Sequence, residues 1–143
     1  MTRKIELAMI GAIRGAMSDP DFSGCYWHNA NTSVSQRHHG IYKTVGYERT
    51  IEVTLYDTVI AIIDPSMQRL SLYTGGFNTA TTRSRINALL REFQPNHGLA
   101  QRKQQLVSLD AWNNATPFYE GLTLGFEPCA PLRESRWNDK LRS

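Results

Sequence analysis

Apolar side chains recur at Ile5, Met9, Ala12, Ile13 and Ala16, while Arg3, Lys4, Glu6 and Arg14 avoid that stripe. The spacing predicts an amphipathic helix over residues 2–17 with one packing face. The stretch SDPDFSG ends it with turn residues. From Cys25 the chain reads as a loop, and then alternation begins: Thr32, Val34 and Gln36 share one face of a strand. Alternation is stronger at Ile51, Val53 and Leu55 against Glu52, Thr54 and Tyr56. Asp57-Thr58 reads as a tight turn, VIAIID as a buried strand, and RLSLYT as a strand with Leu70 and Leu72 inward. Links this short permit only hairpins, so these runs form an antiparallel meander.

A helix follows over residues 81–93, with Ile86, Leu89, Leu90 and Phe93 on one face. QPNHG stops it. LAQRKQQLVSLDAW reads as a further hairpin or a bent strand, and TPFYEGLTLG as a last strand. The expected fold class is α+β: an antiparallel meander sheet of about five to seven strands with both helices on one face. Residues 1–125 read as a single domain and 126–143 as a basic tail, with Trp137 as its anchor.

Composition sharpens this only a little. A chain of 143 residues can bury a core without disulfides or metals. The net charge of +3 is too small to identify a nucleic-acid binder by itself. Its distribution is uneven: Arg83, Arg85, Arg91, Arg102 and Lys103 face only Glu92 between residues 83 and 103. Cys25 and Cys129 permit one disulfide, but the chain reads as a reduced intracellular protein. No apolar run reaches the length of a membrane span, and the N-terminal segment reads as a helix and not as a signal peptide. The expected location is the cytoplasm.

The segment between Tyr73 and Arg85, YTGGFNTATTRSR, draws the most attention. Two glycines allow positive φ and a close backbone approach. The spacing of a Walker or Rossmann phosphate loop is absent. One threonine suffices to cap the helix, which leaves others for a ligand. Arg83 and Arg85 fall in the first turn, where the helix dipole disfavours cations. Each therefore expects an anion, either an internal Asp or Glu or an external phosphate. Asn87, beside Arg83 on the helix, is expected to bond a neighbouring loop.

Other groupings are weaker. Cys25, His28 and His38 have a loosely ligand-like spacing, but zinc wants four N or S ligands, or three and water. No metal and no cofactor are expected. Cys25 with a histidine could form a nucleophilic pair only under a very loose test. Tyr26, Trp27, Tyr42, Tyr47 and Tyr56 lie among Arg37, Lys43 and Arg49, a mixture that suits core packing, a protein interface or stacked bases.

The motifs Asn31-Thr32-Ser33-Val34, Leu55 to Ala61, Gly75-Gly76-Phe77, Thr79 to Asn87 and Phe118 to Leu122 together resemble a family of small proteins of unknown function. That family is spread through tailed-bacteriophage genomes. The resemblance covers roughly residues 3–124. Phe77 stands where that family commonly has Trp, and RHHGIYKTVGYER reads as an insertion within residues 36–50. The resemblance implies a phage origin and a compact α+β domain, and it points to no particular activity.

The leading functional expectation is a non-enzymatic phage accessory protein that binds nucleic acid. Thr81, Thr82, Arg83 and Arg85 would hold phosphate, with Arg102, Lys103 and the tail extending the track. The alternative is a protein-binding modulator of a host factor or defence system, with Tyr42, Lys43, Tyr47, Arg49, Arg136 and Trp137 at the interface. A minor virion component is the third reading. The oligomeric state is left open, and no membrane partner is expected.

Overall fold

The computed structural model describes residues 4–39 and 48–126. Tyr42, Lys43, Tyr47, Arg136 and Trp137 lie outside the described residues, as do the tail from residue 127 and most of the expected insertion.

The described chain is α+β. Helix α1 spans Lys4–Met17, followed by strands β1 (Gly24–Asn29), β2 (Thr32–His39), β3 (Glu48–Leu55), β4 (Thr58–Asp64) and β5 (Arg69–Leu72). Helix α2 spans Ala80–Phe93, followed by β6 (Gly98–Arg102), β7 (Gln105–Leu109), β8 (Ala115–Pro117) and β9 (Leu122–Gly125). All pairings are antiparallel. β1 to β5 form the expected meander, and β9 adds to β5, giving a six-stranded sheet in the order β1-β2-β3-β4-β5-β9. β6, β7 and β8 form a separate three-stranded sheet. The expected strand count holds for the main sheet, while the second sheet is a difference: the short strands after α2 pair locally before the chain returns to β5.

The inward face of the main sheet carries Val34, Ile51, Val53, Leu55, Ile63, Leu70 and Leu72, all buried. Met9, Ala12, Ile13 and Ala16 of α1, and Ile86, Leu89, Leu90 and Phe93 of α2, pack on it. Each fully buried Leu or Ile in this layer contributes about 1.5–3 kcal/mol. A bulge in β4 adjusts the pattern. Val53 pairs with Ala61 and Thr54 with Val59, so Ile60 is the extra residue, and both Ile60 and Ala61 are buried. The continuous apolar run VIAIID thus accommodates one more inward side chain than strict alternation allows.

Three sequence expectations are corrected here. Residues 24–29, read as loop, form edge strand β1, whose own bulge at Tyr26 and half-exposed faces hide any alternation. Gly15 of α1 makes room for this bulge, since a Cβ there would lie 2.8 Å from the Tyr26 hydroxyl. Glu6, read as solvent-facing, is fully buried in the helix interface. The β3–β4 turn is formed by Tyr56 and Asp57, one residue earlier than expected.

Leu99 of the small sheet packs into the core with α2, and Asn87 adds hydrogen bonds to the same residue. Asn87 Nδ2 donates to the Leu99 carbonyl at 3.1 Å, and the Leu99 N–H donates to Asn87 Oδ1 at 2.8 Å. This is the neighbouring-loop bond expected of Asn87, made here to the start of β6. Farther along, Lys103 and Gln104 turn the β6–β7 hairpin with φ of 53° and 66°, the left-handed pair that a two-residue hairpin favours.

Candidate functional site

Helix α2 begins with a self-contained cap. Thr79 is extended and its hydroxyl accepts the Thr82 N–H at 3.1 Å, while the two threonine hydroxyls lie 2.9 Å apart. Thr82 is buried by this arrangement, and Thr81 is half-buried beside it. Arg83 folds back onto Asn78, donating to its Oδ1 at 2.7 Å.

Arg85 points the other way, into the protein, with 3% of its surface exposed. Its Nη1 donates to Glu6 Oε2 at 2.9 Å and its Nε to the Thr32 hydroxyl at 3.1 Å. Glu6 also accepts from the Ser84 hydroxyl. Of the two partners that the helix start allowed, Arg85 has the internal one. It presents nothing to an outside phosphate, because its anion is Glu6, supplied from α1 across 79 positions of sequence.

The double glycine has an internal anion too. Gly75 lies at φ 64°, and a Cβ on it would come within 2.5 Å of Thr58 Cγ2. The turn presents its amides to Glu120. Oε1 accepts the Thr74 N–H at 2.9 Å and the Gly75 N–H at 2.8 Å, and Oε2 accepts the Thr74 hydroxyl. Burial works to raise the Glu120 pKa, and the bonds from Thr74 and Gly75 outweigh it, so the group titrates below its ordinary value. A loop built like an anion nest therefore closes on a carboxylate of its own chain.

Between these two features lies a cleft of about 380 Å³, lined by Leu55, Tyr56, Asp57, Thr58, Ile60, Thr74, Phe77, Thr79 and Thr82. Its walls are mainly apolar. Tyr56 and Phe77 stand at its edge, 72% and 60% exposed. Tyr56 holds φ 56°, the left-handed region that a bulky side chain rarely adopts, while its N–H donates to the Asn31 carbonyl at 2.6 Å. Asp57 is exposed, and no side-chain hydrogen bond or ion pair engages it among the described residues.

The remaining sequence candidates are scattered. Arg102 and Lys103 are exposed at the tip of the β6–β7 hairpin. Arg49 serves the inside of the protein. Its Nη1 and Nη2 donate to the Ala16 and Met17 carbonyls at 3.1 and 3.0 Å, and Nη1 also donates to Gln36 Oε1 at 2.6 Å. A cation at the C-terminal end of α1 complements the helix dipole. His38 bonds the Phe22 carbonyl through Nε2 at 2.9 Å, and Cys25 and His28 are exposed on β1. Among the described residues no group of three or more His, Cys, Asp or Glu side chains is placed to hold a metal ion.

Sequence reasoning missed Glu120 and Asp57. Both are carboxylates in turns, and nothing local marks a turn carboxylate as a partner for residues far away. The substitution-like position Phe77, which stands where the resembled family has Trp, was the available signal for the cleft.

No curated protein and no solved structure matches the chain. A family model described as Kyanoviridae Gp96 protein matches residues 2–125, nearly all of the described domain and almost the span over which the phage resemblance runs. With a match of that extent, the chain belongs to the Kyanoviridae Gp96 protein family, a family of tailed-phage proteins.

Proposed function

We propose that this phage protein is a non-enzymatic accessory module that binds a partner protein through the cleft at the start of α2. The observation that carries this reading is the pair of exposed rings, Tyr56 and Phe77, over a floor of Leu55 and Ile60. Exposed aromatic side chains around an apolar depression supply the anchoring area that protein interfaces use. Tyr56 is also held in a sparsely populated backbone conformation, a kind of strain found at binding sites. The alternative built on phosphate loses several donors to internal partners. Glu120 takes the Thr74 and Gly75 amides, Glu6 takes Arg85, and Thr79 and Thr82 take each other.

Nucleic-acid binding survives as a second reading on one observation, the exposed Arg102 and Lys103 at the β6–β7 tip. The two readings separate in a pull-down of the full chain from host lysate, with and without nuclease. Protein binding predicts a stoichiometric partner that resists nuclease and is lost with Tyr56→Ala plus Phe77→Ala. Nucleic-acid binding predicts recovery that vanishes with nuclease, falls steeply with salt, and is lost with Arg102→Glu plus Lys103→Glu. A nuclease-resistant partner that ignores the aromatic substitutions would end the cleft assignment.

A further inference from the structure

The geometry points to a specific occupant for the cleft: an arginine or lysine side chain projecting from the partner protein. This inference rests on the protein-binding reading and adds the chemistry of the contact. Three features of the cleft converge on it. Leu55 and Ile60 offer an apolar floor, which suits the methylene stem of a long cationic side chain. Tyr56 and Phe77 line the same space, and the faces of aromatic rings attract guanidinium and ammonium groups. Asp57 sits among these residues with its carboxylate unengaged, the charge complement for a bound cation.

Among the lining residues Asp57 carries the one full charge. Of the nearby cations, Arg85 is paired with Glu6 in the interior, while Arg83 donates to the neutral Asn78 and keeps its charge beside the helix start. Glu120 lies outside the lining, with its carboxylate taken up by Thr74 and Gly75. The N-terminus of α2 also opposes a cation, with a partial positive charge of about half a unit. Its Thr82 amide is covered by the Thr79 cap, which leaves that donor unavailable to an entering anion. A carboxylate or phosphate entering here would meet Asp57 unpaired.

The test uses the full-length protein and blocked peptides Gly-Gly-Xaa-Gly-Gly, with arginine, lysine, norleucine or glutamate at the centre. Binding is read from amide shifts in nitrogen–proton spectra. The expected result is saturable movement of the Tyr56, Asp57, Thr58 and Thr74 to Phe77 amides with the arginine and lysine peptides. Norleucine should bind more weakly, and glutamate should leave these amides in place. Asp57→Asn, which keeps the turn's shape, should weaken arginine binding at least about threefold, as should Phe77→Ala. Unchanged denaturation midpoints for both variants confirm that they fold.

Equal binding of norleucine and arginine would overturn the cationic contact while leaving an apolar protein-binding cleft. Preference for the glutamate peptide would overturn it in favour of the helix terminus. If no peptide binds, the cationic inference falls. If, in addition, a lysate partner survives Tyr56→Ala plus Phe77→Ala, the protein-binding reading of the cleft falls with it.

Discussion

The Glu120 carboxylate caps the turn that holds Gly75, taking the Gly75 amide at 2.8 Å while its other oxygen takes the Thr74 hydroxyl. The contact spans 45 positions of sequence and joins the β8–β9 turn to the segment leading into α2. It explains why a glycine-rich turn before a helix need not be a phosphate loop. The donors are present and oriented, but the anion is part of the fold.

Linkage makes this contact visible in the pH dependence of stability. The folded Glu120 titrates below its ordinary value of 4.5. A depressed folded pKa contributes stability that is present above the unfolded value and lost as pH falls through the folded one. Denaturant midpoints should therefore drop as the pH is lowered past 4.5, and Glu120→Gln should remove part of that dependence. The readout is the difference between the two proteins, because Asp110 also titrates low, held chiefly by the Asn114 amide. Identical acid limbs for both would mean that the Glu120 contact does not form in solution.

Gly75 and Gly76 make a matched pair for separating sterics from backbone strain. Both have positive φ, but only Gly75 faces a neighbour, Thr58 Cγ2. Gly76→Ala should cost about 1 kcal/mol through the left-handed conformation alone. Gly75→Ala should cost more, about 2–4 kcal/mol, by adding overpacking to the same strain. Thr58→Ser removes the offending methyl, so it should recover the steric part of the Gly75→Ala loss and leave the conformational part. Chemical denaturation of the single and double variants measures each share.

The buried Glu6–Arg85 pair predicts strong non-additivity. Arg85→Met strips a buried carboxylate of its main partner and should cost about 3–5 kcal/mol. Glu6→Leu strands a buried guanidinium and should cost a similar amount. The double variant leaves neither charge unpaired, so its loss should be well below the sum of the single losses. Additive losses in a double-mutant cycle would show that the pair contributes little beyond separate packing.

How much of this was legible depended on the range of each interaction. The α2 face was readable because Ile86, Leu89, Leu90 and Phe93 repeat at helical spacing. The meander was readable because Ile51, Val53 and Leu55 alternate and their connecting turns are short. Glu6 was not, since a carboxylate in an amphipathic helix reads as solvent-facing until its distant cation is known. The second sheet was hidden for a related reason. Short strands such as β8 carry no sign of which edge they will join, and Pro117 closes β8 after three residues. At the candidate site, the threonine cap follows from local chemistry, whereas Glu120 and Asp57 reach it through tertiary structure alone.

Asn87 adds a polar link between the second sheet and α2 to the packing of Leu99, Leu106 and Phe118 on the core, which gives a last prediction. Its amide satisfies both the N–H and the carbonyl of Leu99, an arrangement that no other uncharged side chain of similar size reproduces as well. Asn87→Ala leaves both backbone groups without their partner and should destabilise the protein by about 1–3 kcal/mol. Asn87→Asp keeps the acceptor for the Leu99 N–H but sets a carboxylate against the Leu99 carbonyl, so it should rescue little. Amide hydrogen exchange locates the damage. Leu99 and its β6–β7 neighbours should lose protection in both variants, while Val53 and Ile63 in the main sheet should stay protected by their own ladder. Equal loss in both sheets would mean that they unfold as one unit, and that Asn87 supports the whole core and not the attachment of the smaller sheet.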